Sequence, residues 1–137
     1  MRLTISTLGL AAMALAGCAS APETPQRSAA DEKELARALQ GRTAGAAVRC
    51  LPYFASSTDV RVIDDWTILF KQGGTVYVQT PQGGCPGIGS HRNTMVSRIY
   101  GNGQVCSGDI QHLVDFGSGV GGGACVFGPF VPYRKAS

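Results

Sequence analysis

A chain of 137 residues has room for one ordinary domain and too little for two. Only 15% of its positions are charged and 19 are glycine, which excludes a solvated, disordered polymer and argues against a helical bundle. The formal net charge of +3 is scattered without any run of Lys and Arg, so the sequence carries no nucleic-acid footprint.

Arg2 and the apolar stretch from Leu3 to Leu15 form a signal-like start, too short for a spanning helix of about 20 residues. The stretch runs into Leu15-Ala16-Gly17-Cys18, which resembles the lipobox, the signal motif of bacterial lipoproteins, at every position. The resemblance implies a signal peptide over residues 1–17, a diacylglyceryl thioether on Cys18, cleavage after Gly17 and acylation of the new amino terminus. Small residues before the cysteine let an extended segment enter a narrow protease site, and only a thiol gives the thioether. One acyl chain anchors marginally, at about 0.8 kcal/mol per buried methylene, whereas the three carried by such lipoproteins hold firmly. Loss of Arg2 leaves the mature charge nearer +2. Ala19, in place of Asp, resembles the sorting signal for the outer membrane. The expectation is therefore an outer-membrane lipoprotein facing the periplasm, with the membrane as a partner through the lipid.

Residues 18–30, with Pro22 and Pro25, read as the lipidated cysteine and an extended tether. Ser28-Ala29-Ala30-Asp31 has the form of a capping start, since a hydroxyl can accept a backbone N–H while an acid sits in the first turn. A helix is predicted over Asp31–Gln40, with Leu35 and Leu39 one turn apart and Gly41 as its stop; helix and linker together occupy 31–45. So short a helix with so narrow an apolar stripe is marginal alone, and fraying on the tether is favoured over packing.

Residues 46–137 form the predicted β domain. Val60–Ile63, Thr67–Phe70 and Thr75–Gln79 are β-branched or aromatic runs, separated by Asp64-Asp65-Trp66 and by Gly73-Gly74. Further strands are predicted at Thr94–Tyr100, Gly103–Cys106, Ile110–Phe116 and Ala124–Phe127, with Gly117–Gly123 as a loop. The expected fold is mainly β: a small disulfide-stapled antiparallel barrel or compact sandwich of about six or seven short strands, preceded by a short helix.

With Cys18 assigned to lipid, Cys50, Cys85, Cys106 and Cys125 remain, an even number in an exported chain and hence two disulfides. A zinc site would call for close-spaced ligand pairs, and the chain has no CxxC, so no metal is expected. A catalytic thiol at Cys106 lacks an evident base, although His112 is near in sequence. Loop-closure entropy does not choose among the three connectivities. The nested pairing, Cys50 with Cys125 and Cys85 with Cys106, is preferred because it would tie the first strand to the last.

Gly117-Ser118-Gly119-Val120-Gly121-Gly122 matches GxGxxG, but a strand-like Ala124–Phe127 follows where a dinucleotide site needs a helix, so no cofactor is expected. Asp64 and Asp65 suit a turn better than an acid pair, and Asp109 suits a turn cap. His91 and His112 are the only histidines, and neither has ligand spacing. Tyr53, Phe54, Trp66, Tyr77, Tyr100, Phe130 and Tyr133 could stack a ligand, though core filling is the simpler role. Together, Val62–Phe70, Gly84-Cys85-Pro86-Gly87-Ile88, Val105–Ile110 and Cys125–Pro132 resemble a family of small bacterial domains of unknown function, many of them in lipoproteins. That resemblance spans Arg49–Tyr133, implies a shared domain and brings no catalytic residues. The expected function is a binding or envelope-maintenance module acting on an envelope protein, the cell wall or a small ligand. The alternatives are a small periplasmic hydrolase using Asp109 and His112, and an inhibitor of an envelope enzyme inserting the Gly117–Gly123 loop or the Asp64-Asp65 turn.

Overall fold

The computed structural model describes residues 26–52, 58–90, 92–98 and 103–136; the signal segment, Cys18, most of the tether, Tyr53, Phe54, His91 and Tyr100 lie outside them. The first element is helix α1, Ala29–Leu39. Ser28 caps it, its Oγ accepting the Asp31 N–H at 3.1 Å, and Asp31 and Glu32 place negative charge at the positive end of the helix dipole. Gly41, at φ 66°, turns the chain out of the helix. The helix does not fray on the tether. Leu35, Ala38 and Leu39 pack on Ile63, Leu69 and Val76, and burial of that stripe supplies the stability that the isolated segment lacks.

Among the described residues eight strands follow: β1 (Arg42–Ala44), β2 (Asp59–Asp64), β3 (Thr67–Gln72), β4 (Thr75–Gln79), β5 (Asn93–Ser97), β6 (Ile110–Asp115), β7 (Gly121–Val126) and β8 (Phe130–Lys135). They form two antiparallel sheets, one ordered β1-β8-β4-β3-β2 and one ordered β5-β6-β7. The fold is thus the compact sandwich of the two architectures expected, and not a closed barrel. Between the sheets lie Leu51, Ile68, Ile88, Val105 and Leu113 around three phenylalanines. Phe70, Phe127 and Phe130 meet edge-to-face, each pair of ring centroids 5.7 Å apart, the geometry that sets the positive edge of one ring on the negative face of another. On the opposite face of the larger sheet, α1 covers Ile63, Leu69 and Val76.

The β2–β3 and β3–β4 hairpins fall where the turn residues place them, with Gly73 at φ 54° in the second. The predicted strand at Gly103–Cys106 is a turn, with a single bridge at Cys106. The last three residues of the predicted Gly117–Gly123 loop, Gly121–Gly123, are instead the start of β7. Strand β8 is unexpected because it carries Pro132 in the interior of a sheet, where proline removes a ladder donor. The Pro132 carbonyl accepts the Gly45 N–H at 2.7 Å, on the side where β1 has just ended. Along a strand the nitrogen and carbonyl of one residue point the same way. The missing N–H therefore falls where regular pairing has already stopped.

The disulfides join Cys50 to Cys106 and Cys85 to Cys125. This crossed pattern replaces the expected Cys50–Cys125 and Cys85–Cys106 nest. Backbone pairing decides it. Leu51 N–H bonds the Val105 carbonyl at 2.9 Å and Ser107 N–H the Arg49 carbonyl at 2.7 Å, so Cys50 and Cys106 sit opposite each other in the closer, non-hydrogen-bonded position of an antiparallel pair. Cys85 is held by its N–H to the Asp65 carbonyl at 2.6 Å, at the tip of the β2–β3 hairpin, and is fully buried with Cys125 of β7. The second disulfide therefore ties the two sheets together.

Candidate functional site

The acidic residues singled out from the sequence organise loops. Asp64 Oδ1 accepts the Trp66 N–H at 2.7 Å, while its Oδ2 accepts from Arg27 Nε at 2.6 Å. Asp65 turns the other way and accepts the Gly87 and Gly89 N–H groups at 3.1 and 2.8 Å, which fixes the Cys85–Ser90 loop. Gly84, at φ 79°, lies flat on the Trp66 ring, where an added Cβ would come within 3.1 Å of the indole. The two carboxylates are not a pair, in keeping with the opposed directions of neighbouring side chains.

Asp109 Oδ2 accepts the Cys106 N–H at 2.7 Å, closing the turn that presents the first disulfide. His112 stands on the exposed face of the three-stranded sheet, between Val96 and Ala124. No hydrogen bond or ion pair joins Asp109 to His112 among the described residues. The Gly117–Gly122 run is a tight turn leading into a strand. Asp115 Oδ1 accepts from the Gly117 N–H, the Ser118 N–H and the Ser118 hydroxyl at 2.9, 2.8 and 3.0 Å. Those Ser118 bonds, aided by Gly117 and the Arg92 charge, hold the Asp115 carboxyl below its ordinary value. Of the aromatic residues considered for ligand stacking, Tyr77 and Phe130 are core, and Tyr133 packs beside α1. Among the described residues the exposed large aromatic is Phe116, 73% accessible at the start of the Asp115 turn, with Val120 at 66% on its far side. No group of three or more His, Cys, Asp or Glu side chains among the described residues gathers in a way that could hold a metal ion.

Folding assembles a cationic surface that the scattered sequence hides. On the outer face of the five-stranded sheet, beyond the C-terminal end of α1, lies a hollow of about 160 Å³ lined by Ala38, Arg42, Asp59, Arg61, Leu69, Lys71 and Val76. Ala38 and Arg42 also border an adjoining hollow of about 460 Å³, which adds Arg37, Gln40, Gly41 and Lys135. Pairing explains the gathering. In β2 and β3 the opposed residues are Asp59 with Lys71 and Arg61 with Leu69, so alternation puts all four on one face. Arg42 stands opposite Lys135 at the other edge and reaches across to donate to the Gly74 carbonyl at 2.5 Å. Alternation of Arg61 with Ile63 and of Leu69 with Lys71 was the available signal, readable only once the strand register is known.

A separate hollow, about 480 Å³, lies between the outer edges of β2 and β5 and is lined by Val60, Val62, Ile88, Met95 and Val96 among others. Both β2 and β5 are edge strands that do not pair with each other, so the sandwich is open along this seam. No protein-family model, curated protein or solved structure matches the chain.

Proposed function

We propose that the protein is a lipid-anchored binding module of the bacterial cell envelope, acylated on Cys18 after loss of residues 1–17, held in the outer membrane and facing the periplasm. Its role is recognition of an envelope component, without catalysis, and it belongs with the small lipoprotein domains that its Cys-Pro-Gly and closing Cys-x-x-Gly segments resemble. The observation that carries this reading is the pair of disulfides, one of them buried between the sheets, since such bonds persist in oxidising compartments. The acid groups that hydrolysis would need are engaged with backbone amides, which also favours binding.

Mass spectrometry of the protein purified from native membranes under non-reducing conditions tests the reading. The expected result is a mature chain beginning at acylated Cys18 with the other four cysteines oxidised. An unprocessed amino terminus or free thiols would overturn it. Trypsin alone does not resolve the pairing, because Cys106 and Cys125 share the peptide between Arg98 and Arg134. A second cleavage at Asp109 or Asp115 separates them, and the Cys50 peptide is then expected on Cys106.

The inhibitor reading has an observation of its own. Phe116 and Val120 project from a turn whose backbone is already fixed by Asp115, so inserting them into a partner's apolar pocket would lose little conformational entropy. Inhibition assays against envelope hydrolases, with Phe116→Ala as the comparison, test it; an effect that is equal for the two proteins sinks it.

A further inference from the structure

Five of the chain's 12 Lys and Arg residues line the two joined hollows at the end of α1: Arg37, Arg42, Arg61, Lys71 and Lys135. Opposing them are Asp59, in the lining, and Glu34 of α1, which lies 3.5 Å from Arg61 in an exposed pair. Exposed pairs of that kind are weak and readily exchanged for a competing anion. Beneath the charges the floor is apolar, made by buried Leu69 and Val76. Arg42 is held in place by the Gly74 carbonyl, whereas Arg61, Lys71 and Lys135 are exposed and can turn their charged ends outward from apolar stems.

A concave cationic rim over an apolar floor suits a phosphate carried on an apolar body better than a free anion. The geometry points to this face as the seat of anionic phospholipid headgroups, so that the domain rests with the α1 side of its larger sheet on a membrane leaflet. The inference rests on the lipid-anchor reading for its source of ligand. From Cys18 to Gln26 the chain can extend at most about 30 Å, and α1, with 11 residues, is about 16 Å long. The hollow therefore lies within reach of the leaflet in which the anchor sits, and a tethered headgroup site works at high effective concentration.

The test uses the mature-length chain, residues 18–137, carrying Cys18→Ser, which keeps every described residue and removes the acyl chains. Sedimentation with phosphatidylcholine vesicles, with and without phosphatidylglycerol, measures partitioning at low and high salt. Binding is expected only to the anionic vesicles and is expected to weaken with salt. Each basic residue at an anionic surface contributes about a fivefold factor, so Arg42→Gln with Arg61→Gln and Lys71→Gln is expected to weaken binding about 100-fold. The control that removes equal charge elsewhere, Arg49→Gln with Arg92→Gln and Arg98→Gln, is expected to change it less than about fivefold. Lys71→Glu alone, at an exposed position, serves where the triple variant unfolds early, and is expected to weaken binding by more than the single-charge factor.

Equal losses in the two triple variants, or no preference for phosphatidylglycerol, would overturn the inference. Full competition by inorganic phosphate at constant ionic strength would also do so, since it would mark a soluble-phosphate site. The anchor reading fails separately: unmodified Cys18 in native membranes sinks it without touching the vesicle result.

Discussion

Removing the two disulfides one at a time discriminates their roles. Cys50–Cys106 closes 56 residues and Cys85–Cys125 closes 40, and the loop-entropy relation assigns about 4 kcal/mol to each. The two differ in what surrounds the sulfurs. Cys50 and Cys106 are half-buried beside a short backbone ladder that survives their removal. Cys85 and Cys125 are 0% and 4% exposed in the core, so truncating them also leaves a cavity, costing about 2 kcal/mol more. Cys50→Ala with Cys106→Ala is therefore expected to lose about 4 kcal/mol, and Cys85→Ala with Cys125→Ala about 6 kcal/mol. For a domain near 100 residues the first loss corresponds to roughly 20 °C in melting temperature. Residues 85–106 belong to both closed loops, so the two losses are expected to be less than additive. Guanidinium unfolding of the oxidised proteins measures all three quantities. A smaller loss for the buried pair than for the half-buried one, or a loss below about 1 kcal/mol for either, would refute the reasoning.

Gly128→Ala is expected to destabilise by about 3 kcal/mol or more, because its Cβ would stand 2.3 Å from the Thr80 carbonyl oxygen. Gly74→Ala, with open space around its Cβ, is expected to stay within about 0.5 kcal/mol, and thermal unfolding compares the two. Gln79 is fully buried with no hydrogen-bond partner for its amide among the described residues, so Gln79→Met is expected to raise stability by about 1 kcal/mol; a fall in melting temperature would count against that. Asp115 titrates below its ordinary 3.8 in the folded protein, through Ser118 first. A depressed carboxylate stabilises fully above the unfolded value, and that contribution is lost as pH falls through the folded one. Asp115→Asn is expected to flatten the acid end of the stability curve below pH 3.8 and leave its neutral shape unaltered, as read by unfolding at stepped pH.

Local pattern carried the meander. Val60–Ile63, Thr67–Phe70 and Thr75–Gln79 alternate or run apolar between strong turn residues, and they became β2, β3 and β4. What depends on distant partners was not legible. Pro132 forbids an interior strand on propensity alone, and β8 is allowed there by the place where β1 stops. Gly121–Gly123 has loop composition and becomes strand because β6 offers a ladder. The helix was expected to fray since its own residues cannot stabilise it, and the sheet face it covers is built from residues 63, 69 and 76. Cysteine pairing has the same character, being set by the antiparallel contact of Arg49–Leu51 with Val105–Ser107. Within the candidate site, the roles of Asp64, Asp65 and Asp109 as turn formers followed from side-chain chemistry. The cationic hollow did not, because its members lie between positions 37 and 135 and share a face only through strand register.

The crossing of the two sulfur bridges has a bearing on how the protein meets proteases. Because each bridge spans across the other's start or end, one peptide bond broken anywhere from 51 to 124 leaves two fragments that stay covalently joined. Breaks between 86 and 105 are spanned twice. Pairing in sequence order would have released the halves at those same positions. A clipped molecule thus migrates as a single band until a reductant is added, and clipping in the intervening segments need not scatter the folded body.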